Sequence, residues 1–155
     1  MHPDLMTMAK GLTSGYVPLG AVGCTNRVTE PIELLNHLHT YGNHPVSCAV
    51  SLRNLEILET EKLIENSEKM GRYFLDGLTS LLNHPSVGEV RGTGLWLAID
   101  FTVNKNSRAP FPLENLMSII ARMKQRGILV KTMGMALELA PPLIISRDEI
   151  DEVIL

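Results

Sequence analysis

Two short apolar runs near the start of the chain, Asp4-Leu5-Met6-Thr7-Met8-Ala9 and Leu19-Gly20-Ala21-Val22-Gly23-Cys24, lack the polar alternation of a half-solvated strand. Runs of this length bounded by Gly and Pro read as buried strands or tight turns. A strand of that kind wants cover on both faces, as inside an α/β sheet. The demand sets residues 1–45 apart from the rest, and this stretch also holds Gly11, Gly15, Gly20, Gly23 and Gly42, five of the twelve glycines.

From Pro45 the apolar period becomes helical. Ala49, Leu52, Leu55 and Leu58 recur every three residues, and Met70, Tyr73, Phe74, Gly77, Leu78, Leu81 and Leu82 follow i, i+3, i+4 spacing. The pattern predicts helices over about 46–60 and 63–83, with a break near 60–62 and stripes free to pack on each other or on another partner. Residues 86–103 read as a hairpin, with strands at 87–91 and 95–103 and a turn at Gly92-Thr93-Gly94. A polar loop over 104–111 leads to a helix over 113–126, ended by Gly127. Short strands are expected at 128–131 and 136–139, and Ser146 with Glu149 forms an S-x-x-E capping box for a last helix. Residues 86–155 thus read as a ββαββα, α+β unit.

With 155 residues the chain is one domain or a piece of a larger one. A composition of 45% hydrophobic and 20% charged residues is globular. A net charge of −3 argues against a generic nucleic-acid binder, and 5% aromatics against a base-stacking platform. No apolar run is long enough to span a bilayer, and Asp4 and Lys10 break the apolar start, which therefore does not read as a signal peptide. Cys24 and Cys48 make no disulfide framework; they suit a reducing compartment, read as cytoplasmic, and as small residues of an interior.

Three places invite chemistry. Lys10 ends an apolar run directly before Gly11-Leu12-Thr13-Ser14-Gly15, so its amine leaves a strand at a tight turn. A lysine aimed into a cleft there has its charged form disfavoured and is free for imine formation; an ordinary surface lysine is the alternative. The segment His39-Thr40-Tyr41-Gly42-Asn43-His44-Pro45 places hydroxyls and glycine before a helix N-terminus, which suits an anion or simply caps the helix. His39 and His44 have no Cys or carboxylate beside them, and no metal is expected. Lys131, at a strand end, could pair with a substrate carboxylate or stand as a solvated charge. No Ser-His-Asp arrangement, P-loop or dinucleotide fingerprint is present, since GLTSGYVPLG lacks a GK[ST] ending.

The ordered segment Pro3 to Val22, PDLMTMAKGLTSGYVPLGAV, resembles the cofactor-lysine segment of the class III pyridoxal-phosphate aminotransferases, the ω-aminotransferase group. Thr40-Tyr41-Gly42-Asn43-His44-Pro45-Val46-Ser47-Cys48-Ala49 resembles their TYxGHP segment, with Gly42-Asn43 where a small residue and Gly are common. Val87 to Leu95 (VGEVRGTGL) and Leu137 to Leu143 (LELAPPL) are further matches in order, so the resemblance spans essentially the whole chain.

The resemblance implies a mixed α/β fold, part of a fold type I pyridoxal-phosphate transferase. Residues 1–45 would be the end of the large cofactor-binding domain's sheet, 46–85 linking helices, and 86–155 the small C-terminal α+β domain. It implies that Lys10 links covalently to pyridoxal 5'-phosphate and then carries the proton. Thr40 would bind the phosphate in the neighbouring subunit's site of a homodimer. Lys131 stands where several members have a carboxylate-binding arginine; it keeps the charge but loses the bidentate fork. Arg91 falls in a segment that is usually structural. The implied substrates are an ω-amino acid or amine and a 2-keto acid such as pyruvate, with neither nucleic acid nor membrane as partner. A pyridoxal-phosphate aminomutase of the same family and a non-catalytic dimerisation module are the alternatives. The family's subunit is longer, and its upstream half carries the acid at the pyridine nitrogen, most of the phosphate cradle and the stacking aromatic. The 155 residues alone are therefore expected to be inactive, with 1–45 poorly anchored or pairing through strand edges.

Overall fold

The structure, a computed structural model, describes residues 2–155 and is of mixed α/β class, as the sequence implies. It divides into two compact units, one running to Lys62 and one from Leu63 to Leu155.

In the first unit β1 (Leu5–Met8) and β2 (Ala21–Cys24) pair antiparallel, with Leu5 opposite Cys24 and Met8 opposite Ala21. Asp4 closes the open end of this ribbon, accepting from Thr25 Oγ1 at 3.0 Å and pairing with Arg27. A short helix, α1 (Asn26–Thr29), follows, and α2 (Pro45–Thr60) closes the unit. The strands form where the sequence places them, but they are not buried: Leu5, Met6 and Val22 are all more than half exposed. A two-stranded ribbon has no neighbours to cover it. Cys24 is likewise exposed and Cys48 only half-buried, which corrects the reading of both as interior residues.

The apolar stripe of α2 is not packed within this chain: Leu52 and Leu55 are exposed, which leaves the stripe free for another partner, whereas Ser47 and Ser51 are buried. The side that packs carries Ser47, Ser51 and Asn54, at i, i+4 and i+7.

The second unit has a true core. α3 (Leu63–Leu78) lays Met70, Phe74 and Leu78 on a sheet ordered β3 (Val87–Thr93), β4 (Trp96–Asn104), β7 (Ala136–Leu139), β6 (Lys131–Met133). Leu97, Ile99, Leu137 and Leu139 meet that face, and Ile150 of α5 (Arg147–Ile154) closes it. Each such side chain contributes about 1.5–3 kcal/mol of burial. α4 (Leu113–Gln125) adds Ile120 and Met123 at the margin of the core.

Several boundaries differ from the sequence reading, each for a local reason. The long helix stops at Leu78 and tightens to a 3₁₀ turn over Thr79–Asn83. In the first hairpin Thr93 pairs with Trp96, so the turn is Gly94-Leu95 and not 92–94. Gly94 takes φ 52°, and a Cβ on Gly71 of α3 would meet Gly94 O at 2.0 Å, so helix and turn touch backbone to backbone. The polar loop contains a short strand, β5 (Ala109–Pro110), because buried Thr102 donates to Ala109 O at 2.6 Å and draws it onto β4. Strand β6 lies at Lys131–Met133, not 128–131. The Gly134-Met135 turn sets Met133 against Ala136, and pairing runs out at Lys131–Glu138. The capping box forms as read: Glu149 N–H donates to Ser146 Oγ at 3.3 Å and Ser146 N–H to Glu149 Oε2 at 2.8 Å.

Candidate active site

Chain direction places Lys10. Strand β1 ends at Met8, Ala9 is fully extended (φ −161°, ψ −168°), and Lys10 then swings to φ 52° as the first residue of a 3₁₀ turn, Lys10–Thr13. That left-handed conformation costs a side-chain-bearing residue about 1–2 kcal/mol, and it persists only when the surroundings hold it. Lys10 is exposed, and among the described residues its ammonium has neither an ion pair nor a hydrogen bond.

The turn after Lys10 is held on both sides. Thr13, 1% exposed, donates from Oγ1 to Val17 O at 2.6 Å. From α2, Asn54 Nδ2 donates to Gly11 O at 2.9 Å and Leu12 O at 3.2 Å, and Asn54 Oδ1 accepts from Ser14 Oγ at 2.5 Å. The sequence reading missed Asn54. Its signal was a polar line, Ser47, Ser51, Asn54, inside a helix otherwise apolar on several sides.

Thr40 sits in an exposed turn that closes with Gly42 N–H on His39 O at 2.9 Å. Asn43 follows with φ 54°, a conformation glycine adopts freely and Asn tolerates, which accommodates the departure from the TYxGHP pattern. Then α2 begins at Pro45 with no side-chain cap on its first N–H groups. An uncapped helix N-terminus favours an anion, and the Thr40 hydroxyl stands five residues before it in the chain. Lys10 and Thr40 therefore flank the same helix, Lys10 through the turn that α2 grips and Thr40 through the turn that leads into it. A hollow of about 360 Å³ beside α2, lined by Tyr16, Ala49, Val50, Arg53, Asn54 and Ile57, includes neither of them.

Lys131 lies in the second unit, on β6. Its Nζ is 2.9 Å from Glu138 Oε2 on the paired strand, while Trp96 Nε1 donates to Glu138 Oε1 at 2.6 Å. Glu138 is 9% exposed, and the Lys131 ammonium, then the Trp96 indole, hold its carboxyl below the usual carboxylate range. The Lys131 charge is thus already matched by a carboxylate of its own chain. Arg91 pairs across the hairpin with Asp100, the structural part expected of it. Among the described residues no group of three or more His, Cys, Asp and Glu side chains is placed to hold a metal, and no helix is long and apolar enough to cross a membrane.

Comparison with known proteins gives the family. Residues 1–155 match the family "Aminotransferase class-III". Gamma aminobutyrate transaminase 3, chloroplastic, of Solanum lycopersicum is 40% identical over 100% of this chain and 32% of its own length. Vanillin aminotransferase of Capsicum chinense is 37% identical over 99% of this chain and 36% of its own. Among solved structures, a thermostable (S)-enantioselective ω-transaminase from Thermomicrobium roseum superposes with a TM-score of 0.89 at 44% identity, covering 99% of this chain and 36% of that one. A PLP-bound amine transaminase from an uncultivated Pseudomonas species gives 0.91 at 38% identity, covering 98% and 36%. The chain spans about a third of the length of these relatives. With a family match from the first residue to the last and solved relatives superposing at TM-scores of 0.89 and 0.91, the chain belongs to the class III aminotransferases.

Proposed function

We propose that the protein containing this chain moves an amino group from an ω-amino acid or amine to a 2-keto acid, with pyridoxal phosphate bound through Lys10. The observation that carries this reading is the Lys10 amine, unpaired among the described residues and presented after β1 by a left-handed backbone, in a chain matched by the family over residues 1–155. The residues fit the cofactor on two counts. Lys10 offers a primary amine with no partner among the described residues, and the Thr40 hydroxyl in the turn leading to the uncapped start of α2 offers a donor to a phosphate. Bound pyridoxal phosphate supplies an aldehyde that condenses with an amine with loss of water, and a ring that withdraws electrons from the substrate carbon.

The chain's own residues do the rest. Lys10 Nζ tethers, then, once free, takes and returns the proton at the substrate carbon; one flexible stem on a fixed turn keeps it within reach for both jobs. Thr40 donates its hydroxyl hydrogen to a phosphate oxygen of the cofactor held by the neighbouring subunit of a homodimer. Lys131, as the cation for a substrate carboxylate, has to exchange its contact with Glu138 for the substrate. Residues 1–45 are assigned to the large domain, 46–85 to linking helices and 86–155 to the small domain. Two unpaired cysteines support a reducing compartment, the cytoplasm in this reading.

Borohydride reduction of the full-length protein loaded with pyridoxal phosphate, followed by peptide mass mapping, is expected to place the adduct on Lys10, and Lys10→Ala is expected to abolish it. An adduct on another residue overturns the assignment.

A further inference from the structure

We propose that Asn54 is a positioning residue for Lys10: its amide sets the direction in which the lysine leaves β1 and so where the amine can reach. The inference rests on the Lys10 reading above and adds a part to it.

The amide of Asn54 spends both of its hydrogens and one face of its oxygen on a single four-residue stretch. Nδ2 donates to Gly11 O (2.9 Å) and Leu12 O (3.2 Å), and Oδ1 accepts from Ser14 Oγ (2.5 Å). These partners are 40 to 43 residues away in sequence, and the first of them directly follows Lys10. The turn is bracketed by two left-handed, non-glycine residues, Lys10 at φ 52° and Ser14 at φ 49°. Neither conformation is self-sustaining, so an external hold is required. The internal bond from Thr13 to Val17 shapes the loop but refers it to nothing outside itself. Asn54 is the side chain that refers it to a sixteen-residue helix.

The chemistry selects asparagine. The turn presents two acceptors and one donor, and a carboxamide offers two donors and an acceptor in one plane. Aspartate lacks the donors, and leucine, of similar size, lacks both. Relaxing Lys10 φ swings the whole four-carbon stem, so a small backbone change becomes a large displacement at Nζ. Reactions that depend on a held group lose rate steeply with such misplacement.

The test uses the full-length protein loaded with pyridoxal phosphate, in three forms: unaltered, Asn54→Leu and Ser14→Ala. The expected result for Asn54→Leu is a borohydride adduct still on Lys10, kcat lowered by about tenfold to a hundredfold with KM changed by about twofold or less, and a displaced pH at which the visible absorbance of the Lys10-bound cofactor titrates. Ser14→Ala, which removes one arm of the clamp from an exposed residue, displaces the same titration in the same direction by less. A purely structural role lowers the thermal midpoint and leaves the absorbance titration and kcat of the folded protein unchanged; that outcome overturns the proposal. If Asn54→Leu does not fold, an unchanged titration in Ser14→Ala overturns it. An adduct on a residue other than Lys10 overturns the function reading and this inference with it, whereas an adduct on Lys10 with unchanged titration overturns this inference alone.

Discussion

In the unit that ends at Lys62 the buried side chains are Thr13, Ser47 and Ser51, all hydroxyls, while Leu5, Met6, Leu34, Leu35, Leu38 and Leu52 face outward. In the unit that begins at Leu63 the buried set is Met70, Phe74, Leu78, Leu97, Ile99, Leu137, Leu139, Ile150 and their neighbours. One holds its shape by hydrogen bonds around a turn, the other by apolar burial. Lys10 and Thr40, the proposed cofactor residues, both belong to the first unit, whose apolar side chains are exposed in a chain that spans about a third of its relatives' length. Hydrogen bonds fix orientation, whereas apolar contact is non-directional and fixes mainly proximity.

The largest expected effect sharpens this contrast. Phe74→Ala, at a side chain 1% exposed, should cost about 3–5 kcal/mol, while Leu52→Ala, at one 70% exposed, should stay within about 0.5 kcal/mol; urea unfolding of each variant reads both. Equal costs would break the comparison, because α2 would then have to be packed through its leucines.

A smaller effect concerns acid. Glu138 is held below the usual carboxylate range by Lys131 and Trp96, so its contribution is fully present above the ordinary carboxylate value and is lost as pH falls through the lower folded value. Removing the cation with Lys131→Met raises the folded value, so the loss begins at higher pH. The acid unfolding midpoint, followed by circular dichroism, should therefore move up. An unmoved midpoint would mean that the pair contributes nothing to the second unit. The smallest effect is at the last helix: Ser146→Ala removes the N-cap and should cost about 1 kcal/mol, measurable as a lowered thermal midpoint.

What could be seen in the sequence follows the same division. Strand β7 is found at the four residues anticipated, the α3 stripe is buried through Met70, Phe74 and Leu78, and the Ser146–Glu149 box closes, because each depends on local pattern alone. Lys10 and Thr40 were singled out through the order of residues around them, and the structure sets them after a strand end and before a helix start. The α2 packing face was not, since periodicity weighs leucine above serine and the turn of Lys10 demands hydrogen-bonding groups instead. The polar line of α2 marks Asn54 but not the turn it grips, 43 residues away in sequence, and the Lys131–Glu138 contact was out of reach because it depends on a strand register set by a turn. The exposure of β1 and β2 runs against their unalternated apolar pattern, which asks for neighbours that a two-stranded ribbon does not have.

The contact between Gly71 and the Gly94 turn leaves no gap for a methyl group. For anyone engineering this protein, that seam is a bad place for an insertion, a tag or a loop graft, since lengthening the turn there has to pry the hairpin off its helix. The opposite end of the same strand pair, where residues 105–108 form an exposed turn, is where added sequence should be carried without disturbing the sheet.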